Sequence, residues 1–349
     1  MYVSSLLCMC LFSIVVTSEN CVPSFQNNIV EVGYRTAQIQ QNLTGCINAT
    51  TLGIGDKGSF DISVQNEVIP SLNKGAISDI SANIKVSIIH NRIETIKEAA
   101  FLNLPGLVDL HLDFNHLTTI ESYAFENLPS LESIYMRNND IKTLSRNTFV
   151  NLRGLLVIYL DNNKLQQFTQ EWFSSVPKLK RLIINNNEIT FLDFADFQHL
   201  RSLESISFHG NKLQKIHPKT FVGLFELTEL DLSANQLTSF DVSFESLLKL
   251  QRLGLNHNKL TYVSLAAFKE VQYSLAQLYL ASNPLQCSCV DELVFWAERF
   301  RIRLFWECAN REVYCVLPIS DETECVKRSI YDYNITAMQI FESGCLTMV

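Results

Sequence analysis

Apolar residues recur along the middle of this chain at two periods: every second residue within short runs, and every 24 residues between runs. The recurring phrase reads Leu-x-x-Leu-x-Leu-x-x-Asn-x-Leu-x-x-Ile/Leu, then about six variable residues, then Phe-x-x-Leu. It starts at Leu107, Leu131, Leu155, Leu179, Leu203, Leu227, Leu250 and Leu275, a step of 24 residues apart from one of 23 and one of 25. A fixed period in this range predicts a solenoid, in which each coil is one unit that cannot bury its apolar face alone.

The phrase marks where one coil must touch the next. In the coil opening at Leu131, Ile134 and Met136 alternate with Ser133, Tyr135 and Arg137, the period of a half-buried strand. Asn139 follows where the chain turns, with counterparts at Asn91, Asn115, Asn163, Asn187, Asn211, Asn235, Asn258 and Asn283. A carboxamide there offers two donors and an acceptor to a buried turn; Asp would lose the donors and Leu would satisfy nothing. Phe101, Phe125, Phe149, Phe173, Phe197, Phe221, Phe244 and Phe268 predict a stacked spine on the return side. Each should contribute about 1.5–3 kcal/mol on burial.

The register extends backward through Val86, Ile88, Asn91, Ile93, Ile96 and Phe101, a coil opening near Asn83. Ile62, Val64, Ile69 and Leu72 fit a degenerate coil opening near Ser59, with Glu67 at the asparagine position. Terminal repeats are commonly atypical in this way.

The phrase is identified as the leucine-rich repeat. At Asn283-Pro284-Leu285-Gln286-Cys287-Ser288-Cys289, continuing through Leu293 and Trp296 to Cys308, the chain resembles the cysteine-rich C-terminal cap of animal extracellular leucine-rich-repeat proteins. That group includes Toll receptors, Slit and many secreted relatives. The plan is also similar to that of secreted insect leucine-rich immune proteins. The resemblance implies an α/β solenoid, a horseshoe of about 9–10 coils with disulfide-bonded N- and C-terminal caps. The expected division is a signal peptide at 1–18, an N-terminal flank at 19–58, the solenoid at 59–285 and a cysteine-rich cap and tail at 286–349. It also implies bonds from Cys287 to Cys308 and from Cys289 to Cys325. Cys315 and Cys345 exceed the simple four-cysteine form, and six cysteines allow fifteen pairings. Cys21 and Cys46 precede the solenoid, so every cysteine after the leader lies in a flank, the pattern of disulfides in an oxidising compartment. Zinc suits them less, because Cys287-x-Cys289 lacks paired ligand spacing and the segment has no histidine.

Leu6 through Val16 is a short apolar run followed by small residues ahead of Glu19, which predicts secretion; no later run reaches the ~20 apolar residues of a membrane span. Sequons at Asn42, Asn48 and Asn334 are expected glycan sites. A net charge of −8 without a basic cluster argues against nucleic acid and anionic membranes. Gly53-Ile54-Gly55-Asp56-Lys57-Gly58 has dinucleotide spacing, but a strand-like run rather than a helix follows it, so it reads as a turn. The seven histidines show no metal-ligand spacing, no catalytic set is recognisable, and neither enzyme activity nor a cofactor is expected.

The strand positions between the leucines remain. Tyr135, Tyr159 and Ile183 should form one concave column, flanked by Val157 and Arg181 on one side and by Arg137, Asp161 and Asn185 on the other. Tyrosine interleaved with arginine is the composition of interface hot spots. The expected role is non-catalytic recognition of an extracellular protein or glycan, with innate defence as one setting. The alternative is an adhesion or matrix component that self-associates, with Cys345 available to link two chains.

Overall fold

Alternation within each repeat makes a short strand, and the 24-residue period lays these strands side by side. The computed structural model describes residues 21–34, 37–194, 196–306, Cys315 and Cys325. The expected signal peptide, Asn334, Cys308 and Cys345 lie outside those residues. A hairpin comes first, β1 (Phe25–Tyr34) and β2 (Ala37–Gly45). The coil strands follow: β3 (Ser59–Gln65), β4 (Asn83–Ile89), β5 (Leu107–His111), β6 (Ser133–Tyr135), β7 (Val157–Tyr159) and β8 (Arg181–Ile183). Then come β9 (Ser205–Ser207), β10 (Glu229–Asp231), β11 (Arg252–Gly254) and β12 (Gln277–Tyr279), with β13 (Arg303–Phe305) supplied by the cap. All thirteen form one sheet, parallel from β3 onward, with β1 antiparallel to β3. The degenerate segment at Ser59 is a full coil, because β3 pairs with β4 from Ser59↔Asn83 to Gln65↔Ile89. Ten coils result.

The asparagine ladder bonds each coil to the one before it. Asn163 Nδ2 donates to the carbonyls of Met136 at 2.9 Å and Leu160 at 3.1 Å, and its Oδ1 accepts from Ile141 N at 3.1 Å. Asn187 repeats the arrangement on Leu160 and Leu165. In the first coil no earlier coil offers carbonyls, and the residue changes accordingly. Glu67 accepts from Ile29 N and from Asn28 Nδ2, both at 3.0 Å, so an acceptor-only carboxylate suits the donors of β1.

The phenylalanines are buried as expected, but the spine is not continuous. Rings stack from Phe101 through Phe125 and Phe149 to Phe173 at 5.4–6.1 Å. Phe168 then stands between Phe173 (6.0 Å) and Phe197 (4.9 Å), and Phe197 passes the stack to Phe221. Phe168 occupies a position that Ile or Leu fills in most neighbouring coils, and its larger ring reaches the spine.

Both ends of the solenoid are covered. At the N-terminal end, β1 contributes buried Phe25, Val30 and Val32, and Cys21 bonds Cys46. Asn48 caps the one-turn helix α1 (Ala49–Leu52) through Oδ1, accepting from Thr51 N at 2.9 Å. Of the two sequons among the described residues, Asn48 is buried and Asn42 is exposed on β2. Gly53 ends α1 with φ 65, so the Gly-rich segment follows a helix and enters a strand, the reverse of a dinucleotide site. Within the coil opening at Leu250 lies α2 (Leu265–Phe268), and the C-terminal cap is built on α3 (Cys287–Phe300). The buried face of α3, including Val290, Leu293 and Trp296, closes the apolar cross-section, with Trp296 5.4 Å from Phe268. Cys287 bonds Cys315, not Cys308 as the resemblance implied; Cys289 bonds Cys325. Helical geometry puts Cys287 and Cys289 on different sides of the first turn of α3, so each meets a different cysteine.

Replacing Asn163 by Ala strips partners from buried carbonyls and an N–H, and is expected to cost about 3 kcal/mol or more in denaturant unfolding. The adjacent Asn162→Gly, at φ 55 and solvent-exposed, should cost far less, since Gly adopts that conformation freely. Peptide mapping under non-reducing conditions should recover Cys287 linked to Cys315; a Cys287–Cys308 peptide would contradict the structure.

Candidate functional site

Because side chains alternate across each strand, Ile134, Ile158 and Leu182 point into the core while their neighbours form columns on the concave face. Register lines up His111, Tyr135, Tyr159 and Ile183. His111 stacks on Tyr135 with ring centres 4.1 Å apart, and Tyr135 on Tyr159 at 4.9 Å, both nearly parallel. The aromatic column therefore begins one coil earlier than the tyrosines alone indicate.

Arg137 lies along this stack, its guanidinium 5.2 Å from the Tyr135 ring centre and 5.4 Å from that of Tyr159. Asp113 holds it there. Arg137 Nε donates to Oδ1 and Nη2 to Oδ2, each at 3.2 Å, and Arg137 backbone N donates to Oδ1 at 2.7 Å. Burial pushes the Asp113 carboxyl up, but its bonds to His111 and Arg137 outweigh that and leave it below its ordinary value. Asp161, two coils further on, moves the other way: burial raises it, and its bond from Asn185 N at 3.1 Å offsets only part of that.

The expected site residues do not all present themselves equally. Tyr135, Arg137, Tyr159, Asp161 and Ile183 are half-buried on the face, and Arg181 is exposed with no side-chain partner among the described residues. Val157 is only 5% exposed, so within the expected patch it packs more than it presents. Asn185 turns its Oδ1 to Ser207 Oγ (2.6 Å) and His209 N (3.0 Å), so it braces the next coil. His111 and Asp113 were visible in the sequence only as polar neighbours; their register with Tyr135 and Arg137 is the signal that marks them. Among the described residues no cluster of three or more His, Cys, Asp or Glu could hold a metal ion, and no helix is long and apolar enough to cross a membrane.

The chain belongs to the leucine rich repeat family, whose pattern matches residues 84–141, 105–165, 136–189, 153–213, 177–237 and 227–285. No curated protein matches it significantly in sequence. Among solved structures, it is similar to a chain of the TLR13–ssRNA13 complex (29% identity, TM-score 0.54), covering 58% of this chain and 29% of that one. It is also similar to a chain of the Drosophila Toll–Spatzle complex (24% identity, TM-score 0.57), covering 65% and 32%. A third likeness is to a chain of the octameric complex of Latrophilin 3, Unc5D and FLRT2 (LRR), at 22% identity and TM-score 0.58, covering 76% and 89%. The chain thus spans about a third of the length of the first two.

The depressed Asp113 carboxyl sets a pH signature. A carboxyl lowered in the folded state contributes stability that is present above its unfolded value and is lost as pH falls through the folded one. Asp113→Asn is therefore expected to be less stable than the parent at pH 7, with the gap closing below the ordinary carboxylate range, as thermal unfolding across pH 2–7 would show.

Proposed function

We propose that this protein is a secreted, non-catalytic recognition module that binds an extracellular protein or glycan through its concave face. The observation that carries this is the half-buried, solvent-facing ladder of His111, Tyr135 and Tyr159 with Arg137 clamped along it by Asp113. Flat, pre-positioned aromatic and guanidinium groups lose little freedom on contact, which is why such groups dominate binding energies at interfaces. The fold's neighbours were solved in complexes with Spatzle, with Unc5D and Latrophilin 3, and with single-stranded RNA. A protein or neutral partner fits this chain better than a polyanion, because Asp109, Asp113, Asp161, Glu229 and Asp231 all stand on the concave strands or the turns that leave them, and the net charge is −8. Disulfides at both ends and the exposed sequon at Asn42 support an extracellular setting, and innate defence is one role such a module would serve.

The test is capture of the partner from extracellular fluid, followed by affinity measurement with purified chain. Changing Tyr135 and Tyr159 together to Ala should lower affinity at least about tenfold while the unfolding midpoint stays near that of the parent. Equal affinity in the folded double variant would remove the proposal.

A further inference from the structure

Past Ile183 the middle concave column drops abruptly in size. Register places Ser207, Asp231 and Gly254 in the next three strands, and Tyr279 and Phe305 beyond them. Tyr279 and Phe305 stack at 4.3 Å, nearly parallel, so the small residues lie between two bulky walls. The result is a hollow of about 740 Å³ in the C-terminal half of the concave face. Four strand spacings separate Ile183 from Tyr279, a length of roughly 19 Å. Gly254 makes room for the carboxylate beside it: a Cβ there would come within 2.6 Å of Asp231 Oδ1. The volume falls in the ordinary range of small-ligand sites, about 300–1,000 Å³.

The polar groups around this trough are mixed in sign and in hydrogen-bonding sense. Glu229 faces Arg252 at 3.7 Å, and Asp231 Oδ1 accepts from both the N–H and the hydroxyl of Ser233. His209 Nδ1 lies 2.7 Å from that same hydroxyl. The carboxamide of Asn256, half-exposed on the trough wall, has no partner among the described residues.

We propose that this trough binds a neutral oligosaccharide laid along the solenoid axis. The proposal rests on the concave-face recognition reading and names a ligand class for it. Sugar hydroxyls donate and accept at once, which matches adjoining carboxylate, carboxamide, hydroxyl and guanidinium groups. The apolar face of a sugar ring needs an aromatic surface, and the Tyr279 ring, backed by Phe305 and with the Arg252 guanidinium 5.8 Å from its centre, ends the trough. A single Lys or Arg from a protein would meet Glu229 and Asp231 but leave most of the ~19 Å length empty. A polyanion would face those two carboxylates with only Arg252 to offset them.

The experiment is titration calorimetry of the whole chain with cellopentaose, laminaripentaose and chitopentaose, with pentalysine as the cationic probe. At least one sugar is expected to bind with Kd below about 1 mM. Asn256→Ala and Glu229→Gln should each weaken it by about tenfold, and Ser205→Tyr, which crowds the trough from its side, should abolish it. These three positions are exposed or half-buried, and thermal unfolding confirms that each variant folds. No binding of any of the three sugars overturns the proposal, as does sugar binding indifferent to all three trough variants. Pentalysine binding that Glu229→Gln removes overturns it in favour of a basic side chain. If sugar fails but the tyrosine variant loses its captured partner, concave recognition stands without this site. If sugar binds and that variant keeps its partner, the trough stands without the tyrosine ladder.

Discussion

A turn buried between two coils must have its backbone groups satisfied, and the asparagine carboxamide does this across the coil boundary. Its Nδ2 reaches a carbonyl of the previous coil and carbonyls of its own, while its Oδ1 takes an N–H of the previous coil. One side chain thereby fixes the position of each coil on the last at strand spacing. With that spacing set, the leucines meet, the phenylalanines reach one another, and the positions between the leucines fall into columns on the concave face. The substitution of Glu67 in the first coil shows the rule from the other side. Where the neighbour offers donors rather than carbonyls, a carboxylate replaces the carboxamide.

The same spacing governs the surface charges. Lys97 with Glu121, Lys180 with Glu204, Lys212 with Glu188 and Lys249 with Glu226 pair between adjacent coils at 2.6–3.0 Å, all well exposed. Exposed pairs of this kind contribute about 0–1 kcal/mol each, so they reinforce a register that the buried amides already determine. Asp113 with Arg137 differs because the carboxylate is only 5% exposed and holds the guanidinium through two bonds and the Arg137 backbone through a third. It positions a group on the recognition face, while the exposed pairs leave the face untouched.

How much of this could be read from residues depends on whether a feature is periodic. The coil count, the amide ladder and the burial of Phe149 or Phe221 follow from spacing alone, and the concave columns follow from strand alternation. The intrusion of Phe168 into the spine was not legible, since the pattern at that position permits Ile, Leu or Phe equally and only volume decides the outcome. The partner of Cys287 was not legible either, because pairing depends on which cysteine the folded tail delivers to the first turn of α3. The burial of Val157 and Asn48 was not legible, for a shared reason. Each satisfies a local motif, a strand position or a sequon, yet burial is set by neighbouring coils or by the cap. The trough was hidden because its signal is an absence of bulk at Ser207 and Gly254, visible only when three strands are compared in register.

The turn after each strand shows how the solenoid distributes strain. In every coil one residue there adopts φ between 52° and 68°, from Asn66 through Asn138 and Gly210 to Ser282. Asn and Gly tolerate this region, but His90, Phe114, Ala234 and His257 occupy it too. Nothing in the local sequence of those four favours it, so the amide ladder imposes it from outside. Phe114 is the extreme case: a bulky residue at φ 56, 48% exposed, its ring lying 4.7 Å from His90 in the preceding coil. Such a conformation costs of order 1–3 kcal/mol, borne by neighbour interfaces rather than by the residue itself. Stability held between coils leaves individual outward side chains free to vary, and this freedom lets one scaffold carry an aromatic ladder at one end of its concave face and an open trough at the other.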